Sequence, residues 1–235
     1  MTQQHKIPVG EGEEISAVHH EAETETWIFF CHGFGSNKEG SYETRCKQAA
    51  EAGFNAVRFD FRGNGESDGE FVEQTLSSRI KDLKSVIEHF NPSKYALFGS
   101  SFGGKTVIHS LTDLEPEAVF LKAPVLFNDT MQEYEEIVRE KGSFTHHGEK
   151  TIDMKFVRDF QEYSFHDAKE NINCPLHIFH GGSDTTVEFE KTAEASKKLD
   201  TDLQVMKLED EKHSFSENAE EKMTDSTVAK LDKLI

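Results

Sequence analysis

A chain of 235 residues with 44 acidic against 26 basic side chains, net −18, lacks the Lys and Arg surplus that phosphate-backbone affinity requires. Nucleic acid and anionic membrane surfaces are therefore excluded as expected partners. The length suits one α/β domain over residues 1–235, large enough to bury a core without disulfides or metal staples. Met1 to Val9 has no apolar h-region and no later run approaches the ~18–20 apolar residues of a membrane span, so the cytoplasm is the expected compartment. Cys31, Cys46 and Cys174 form no C-x-x-C pair and read as reduced thiols.

Ile7 to Val9 and Ile15 to His20, separated by Gly10 and Gly12, predict an antiparallel edge hairpin. Strand-length apolar runs follow at Trp27 to Cys31, Phe54 to Phe59, Tyr95 to Phe98, Val119 to Ala123, Leu176 to Phe179 and Leu203 to Leu208. Helix-period segments alternate with them, the pattern of a mostly parallel sheet covered on both faces. Leu76, Ile80, Leu83, Ile87 and Phe90 fall at three- and four-residue steps and predict one such helix. From Pro124 to Asn173 the alternation breaks. A compact cap insertion is expected there, with helices near Met131 to Lys141 and Asp153 to Phe160.

Gly99-Ser100-Ser101-Phe102-Gly103 directly follows the Tyr95 strand. A serine on a sharp strand-to-helix turn needs small neighbours, which Gly99, Gly103 and Gly104 supply, and the following helix directs its positive end at Ser101. Isolated from that context the pentapeptide would be a plain turn. A serine nucleophile needs a base, and His213 lies on a loop after the last strand, at the carboxyl end of the sheet where open α/β folds bind ligands. Asp184 follows the Leu176 strand and Gly181-Gly182, where its carboxylate can hold the imidazole tautomer. Taken singly, His213 would be an exposed loop histidine and Asp184 a turn aspartate. All three after separate strands, in the order Ser, Asp, His, point to one catalytic unit.

On these residues the sequence resembles the α/β-hydrolase superfamily, nearest its small esterases and lipase-like members. The resemblance implies an acyl-enzyme on Ser101, with His213 as base and Asp184 as acid. It also implies oxyanion donors at the backbone N–H groups of Phe34 and Phe102, because His32-Gly33-Phe34-Gly35 is similar to the family's HG-x loop. Carboxylic-ester hydrolysis is the implied reaction, on a small-molecule substrate, without cofactor or metal. Thioesterase or peptidase chemistry is the alternative, and a non-catalytic binding protein on the same fold is the other class. Phe127, Phe144, Phe156, Phe160 and Phe165 of the insertion are expected to line the substrate pocket.

Other patterns read as structural. Asp60 and Arg62, in the stretch Asp60 to Ser67 that resembles the family's D-x-R-G-x-G-x-S loop, brace neighbouring loops. His32 holds the oxyanion loop, His180 is a strand-end residue, and His146 and His147 lie on the surface. Ser78-Arg79-Ile80-Lys81 falls inside a helix and matches S-x-x-K by chance.

Overall fold

The computed structural model describes residues 1–10, 12–146 and 149–234. In chain order the elements begin β1 (Thr2–Gly10), β2 (Glu13–His20), β3 (Thr26–Cys31), α1 (Ser41–Glu51), β4 (Asn55–Phe59), α2 (Leu76–Phe90), β5 (Lys94–Ser100), α3 (Phe102–Ser110) and β6 (Ala118–Lys122). The segment after β6 holds α4 (Gln132–Lys141), β7 (Ser143–His146), β8 (Lys150–Asp153), α5 (Met154–Gln161) and α6 (Phe165–Ala168). The chain then forms β9 (Leu176–Gly181), α7 (Phe189–Ser196), β10 (Leu203–Leu208) and α8 (Glu217–Leu234).

Among the described residues an eight-stranded sheet runs β1-β2-β4-β3-β5-β6-β9-β10. β1 and β2 pair antiparallel, as does β2 with β4, and the strands from β4 to β10 are parallel. The chain steps from β3 outward to β4, then back across β3 to β5. That reversal opens the crevice where α/β folds bind ligands, and β5 leads straight into Ser101.

Period-2 alternation in the buried strands divides the core. Phe29, Cys31, Leu97, Val119, Leu121 and Ile178 face α2 and α3, while Ile28, Phe30, Ala96, Phe98 and Phe120 face α1 and α8. Helix α2 is closed at its start by a reciprocal cap between Thr75 and Ser78 and ends at Asn91, whose φ of 47° stops the helix. Its apolar stripe divides its work. Leu83, Val86 and Ile87 pack on the sheet, whereas Leu76 and Ile80 join a third cluster with Phe102, Val125, Phe156 and Phe160.

The segment between β6 and β9 contains the two expected helices and a hairpin, β7 paired with β8, that the sequence pattern did not reveal. Its four-residue strands alternate only between exposed and half-buried positions on β7, too little burial to leave a hydrophobic period. This segment is tied to α3 by Lys105. The buried Lys105 Nζ donates to Asn128 Oδ1 at 2.8 Å and to the Tyr163 carbonyl at 3.0 Å, above the Phe160 ring at 4.6 Å. No carboxylate is among these partners, and burial pushes the ammonium down to about 7.

A lysine charged in the unfolded chain up to its ordinary value near 10.4 but neutral in the folded one above about 7 makes the unfolded state bind more protons in that window. The Lys105 contribution to stability therefore rises with pH between those limits. Denaturant midpoints compared at pH 6 and pH 10 are expected to rise more for the native sequence than for Lys105→Met. Parallel shifts in both proteins would contradict the assignment.

Candidate active site

The turn after β5 is built for close approach. A Cβ on Gly99 would meet the Gly103 carbonyl oxygen at 2.6 Å, one on Gly104 would meet Pro124 Cβ at 2.8 Å, and one on Gly103 would collide with the Cys31 carbonyl. These glycines let α3 leave β5 at a sharp angle, and Ser101 sits at the apex with φ 53° and ψ −116°. A non-glycine residue holds such backbone only when its surroundings over-determine it. Here Ser101 N–H donates to the Lys122 carbonyl at 2.8 Å, and Val125 N–H donates to the Ser101 carbonyl at 3.1 Å.

The second glycine pair does comparable work. Side chains at Gly181 or Gly182 would strike the Glu211 and Glu209 carbonyls, so their absence lets the loop after β10 lie against the end of β9. Gly182 N–H donates to Leu208 O at 2.7 Å and Ser183 N–H to Glu211 O at 2.9 Å, fixing that approach. The sequence presents the pair only as a turn. In three dimensions it brings His213 to Asp184.

His213 Nδ1 lies 2.7 Å from Asp184 Oδ2, and His213 Nε2 lies 3.0 Å from Ser101 Oγ. The other Asp184 oxygen accepts the Thr186 and Val187 N–H groups at 2.8 and 3.0 Å, and His180 Nε2 stands 3.4 Å from Oδ2. Burial alone would raise the Asp184 carboxyl. His180, His213 and the Val187 N–H outweigh it and hold the group well below the usual carboxylate range. An ionised carboxylate only accepts, so His213 Nδ1 carries the proton and Nε2 offers its lone pair to the Ser101 hydroxyl.

Around this line His32 behaves as a brace. Phe61 N–H donates to His32 Nε2 at 3.1 Å, which assigns the proton to Nδ1, donating to Gly33 O at 2.8 Å. Burial, with Arg79 adding to it, keeps the imidazole neutral, well below its ordinary range. The buried Arg79 donates to the His32 carbonyl and stacks 3.6 Å above the Phe61 ring. Sequence reasoning set Arg79 aside inside a chance S-x-x-K, and it supports the very loop that carries Phe34. Asp60 accepts Lys38 Nζ at 2.7 Å and Glu66 N–H at 2.9 Å, and Arg62 bonds Asp82 and Glu13, so both brace loops as read from sequence. His180 Nε2 donates to the Val187 carbonyl at 2.8 Å, and its Nδ1 lies 2.8 Å from Thr192 Oγ1.

Ser101, His213, Phe34 and Phe102 border one cavity of about 570 Å³. Of the five expected pocket phenylalanines only Phe144 reaches it. Phe156 and Phe160 are buried beneath, packed on Phe102 at ring distances of 5.7 and 6.0 Å. Phe127 and Phe165 pack edge to face on one another at 5.0 Å in the main core. Helix α5 turns its apolar face down into the domain, which takes its rings out of reach. The apolar lining comes instead from Val125, Met131, Tyr134 and Ile152. His146 also departs from the surface reading, lining the cavity with its ring 5.6 Å from that of Phe34. His147 lies outside the described residues.

The family model described as "Serine aminopeptidase, S33" matches residues 22–147, more than half of the chain. The chain belongs to this family of α/β-hydrolases. It is 28% identical over 228 residues to human "Palmitoyl-protein thioesterase ABHD10, mitochondrial", covering 88% of this chain and 73% of that protein. The mouse ABHD10 structure superposes with a TM-score of 0.85 at 21% identity, covering 99% of this chain and all of that one. Est1E from Butyrivibrio proteoclasticus with bound ferulic acid gives 0.84 at 19% identity, over 98% of each chain. At such identities the superpositions show the fold. A hydrolytic enzyme is the conclusion that the family match supports. Among the described residues no helix is long and apolar enough to cross a membrane.

Proposed function

We propose that this protein is a serine hydrolase that cleaves carboxylic esters through an acyl-enzyme on Ser101. The observation that carries the reading is the hydrogen-bonded line from Ser101 through His213 to Asp184 beside a cavity of mixed polar and apolar lining. His213 takes the Ser101 proton as Oγ attacks the acyl carbon, and Asp184 stabilises the imidazolium that forms. The Phe34 and Phe102 N–H groups, at the oxyanion loop and the first turn of α3, receive the developing oxyanion. The imidazolium then protonates the departing alcohol, and water hydrolyses the acyl-enzyme by the same steps reversed. The β7–β8 hairpin serves as the cap. Lys150 Nζ donates to the Gly35 carbonyl, coupling that hairpin to the oxyanion loop.

A thioester substrate is the second reading, supported by the thioesterase activity in the name of the human relative. Both leave the same acyl-enzyme, so a fluorophosphonate probe followed by peptide mapping tests them together. Modification of Ser101 is expected, and its absence in folded protein would favour a non-catalytic binding role. Matched acyl esters and thioesters then separate the two. The expected compartment is the cytoplasm, supported by three free thiols, Cys31, Cys46 and Cys174.

Acyl preference should respond to the lining that reaches the cavity. Phe144→Ala and Tyr134→Ala are expected to change the ranking of short against long acyl esters by roughly 1–3 kcal/mol per altered contact. Phe127→Ala, in the core beside Phe165, should leave the ranking alone. kcat/KM across an acyl-length series measures both, and equal effects from all three would overturn the assignment of the pocket wall.

A further inference from the structure

We infer that the cavity wall formed by the ends of β5 and β6 with α1 is a subsite for an anionic group, a carboxylate or similar oxyanion, on the molecule that enters this site. That the ligand is a substrate rests on the hydrolase reading above. The binding of the anion does not.

The inference starts from alternation. Ala96 and Phe98 of β5, and Ala118 and Phe120 of β6, form the apolar row facing α1 and α8. Continuing each strand by one period reaches Ser100 and Lys122, register partners at the carboxyl ends, where the row turns polar beside the nucleophile. Arg45 of α1 closes the same corner, its guanidinium 4.6 Å from the Tyr42 ring centroid and 5.0 Å from that of Phe98. Arg45, Lys122 and Ser100 all line the cavity that Ser101 and His213 border.

Arg45 and Lys122 are both buried, and both bind the same carboxylate, Glu220 in the first turn of α8. Glu211 acts on Lys122 as well, so two carboxylates face these two cations. Glu133 lines the cavity too, but from α4 and exposed to solvent. Donors are left over. Arg45 Nε and Nη1 and Ser100 Oγ are buried without a hydrogen-bond partner among the described residues, the kind of deficit a bound acceptor removes. Burial opposes the charge on Glu220, yet Arg45 and Lys122 hold its carboxyl below the usual range. Burial lowers Lys122 in spite of Glu220. A clasp that only fastened α8 to α1 would be complete with Arg45 and Glu220. It leaves Arg45 Nε and Nη1 and the Ser100 hydroxyl, beside the nucleophile, without an acceptor among the described residues.

Two matched pairs test the subsite and show which side of the scissile bond carries the charge. One pair is the 4-nitrophenyl monoester of adipic acid and its terminal amide, charged on the acyl side. The other is the acetyl ester of 4-hydroxybenzoate and the corresponding benzamide, charged on the leaving group. In at least one pair kcat/KM is expected to favour the anion by about 10-fold, a ratio that falls to within about two-fold in Lys122→Met and is kept in Lys122→Arg. Should Lys122→Met fail to fold by circular dichroism, Lys122→Gln with Glu220→Gln removes the charges together and is read in its place. If neither member of a pair is hydrolysed, the esterase reading fails by itself. Calorimetric Kd values of the same four compounds on Ser101→Ala protein must then show the same Lys122-dependent preference. Ratios near one in both pairs, or a preference that survives Lys122→Met as capture by the oxyanion loop would, overturn the subsite.

Discussion

Alanine in place of Ser101 is expected to lower kcat for ester hydrolysis by about 10⁴–10⁶ with the fold intact, and adding His213→Ala should cost little more. The reason lies in the geometry. Among the described residues Ser101 Oγ has one base within hydrogen-bond reach, His213 Nε2 at 3.0 Å, and that base has no proton to remove once the hydroxyl is gone. The two losses describe one event and do not add. Folding should be indifferent, because the backbone bonds that pin the turn, Ser101 N–H to Lys122 O and Val125 N–H to Ser101 O, do not involve the side chain. Single-turnover kinetics on the two single variants and the double variant, with circular dichroism as control, makes the measurement. Multiplying losses would show the residues acting independently, and near-native hydrolysis by Ser101→Ala would remove the nucleophile assignment.

What made the site legible was chain order joined to strand period. The G-x-S-x-G after β5, the aspartate after β9 and the histidine after β10 each follow an apolar run. Such runs give away strand ends in a parallel sheet whatever the loops do. The fold followed from the same alternation, including the β1–β2 hairpin that the separated Gly10 and Gly12 announced. The pocket did not follow. Phe156 and Phe160 sit on a helix whose burial face is set by the domain beneath it, and spacing along the chain does not say which way such a helix is rotated over a cavity. Arg79 escaped notice for a related reason. A basic residue in an amphipathic stripe reads as solvated, whereas here it turns inward to the His32 carbonyl. Arg45 and Lys122 shared that fate, because charge at a strand end or on a helix carries no signal of burial until the neighbouring elements are in place.

Asp184→Asn is expected to lower kcat by about 10⁴ while leaving the shape of the site in place. The amide must choose an orientation, and the protein chooses it. Asp184 Oδ1 accepts two backbone N–H groups, from Thr186 and Val187, and only the carbonyl end of an asparagine can do the same. The NH₂ then falls where Oδ2 was, 2.7 Å from His213 Nδ1, and donates to it. His213 is forced into the tautomer with the proton on Nε2, facing Ser101 Oγ with a donor where a base is needed. Acid titration of the native enzyme gives the complementary result. Since the Asp184 carboxyl is held well below the usual range, it stays ionised at pH values where an ordinary carboxylate begins to protonate, and it adds no proton of its own to the acid limb there. The acid limb of kcat/KM is therefore expected to follow a single proton, activity falling as pH falls. A two-proton limb, or an Asp184→Asn enzyme within about ten-fold of native with a folded spectrum, would mean that the carboxylate does not set the tautomer and that His213 is oriented by its loop alone.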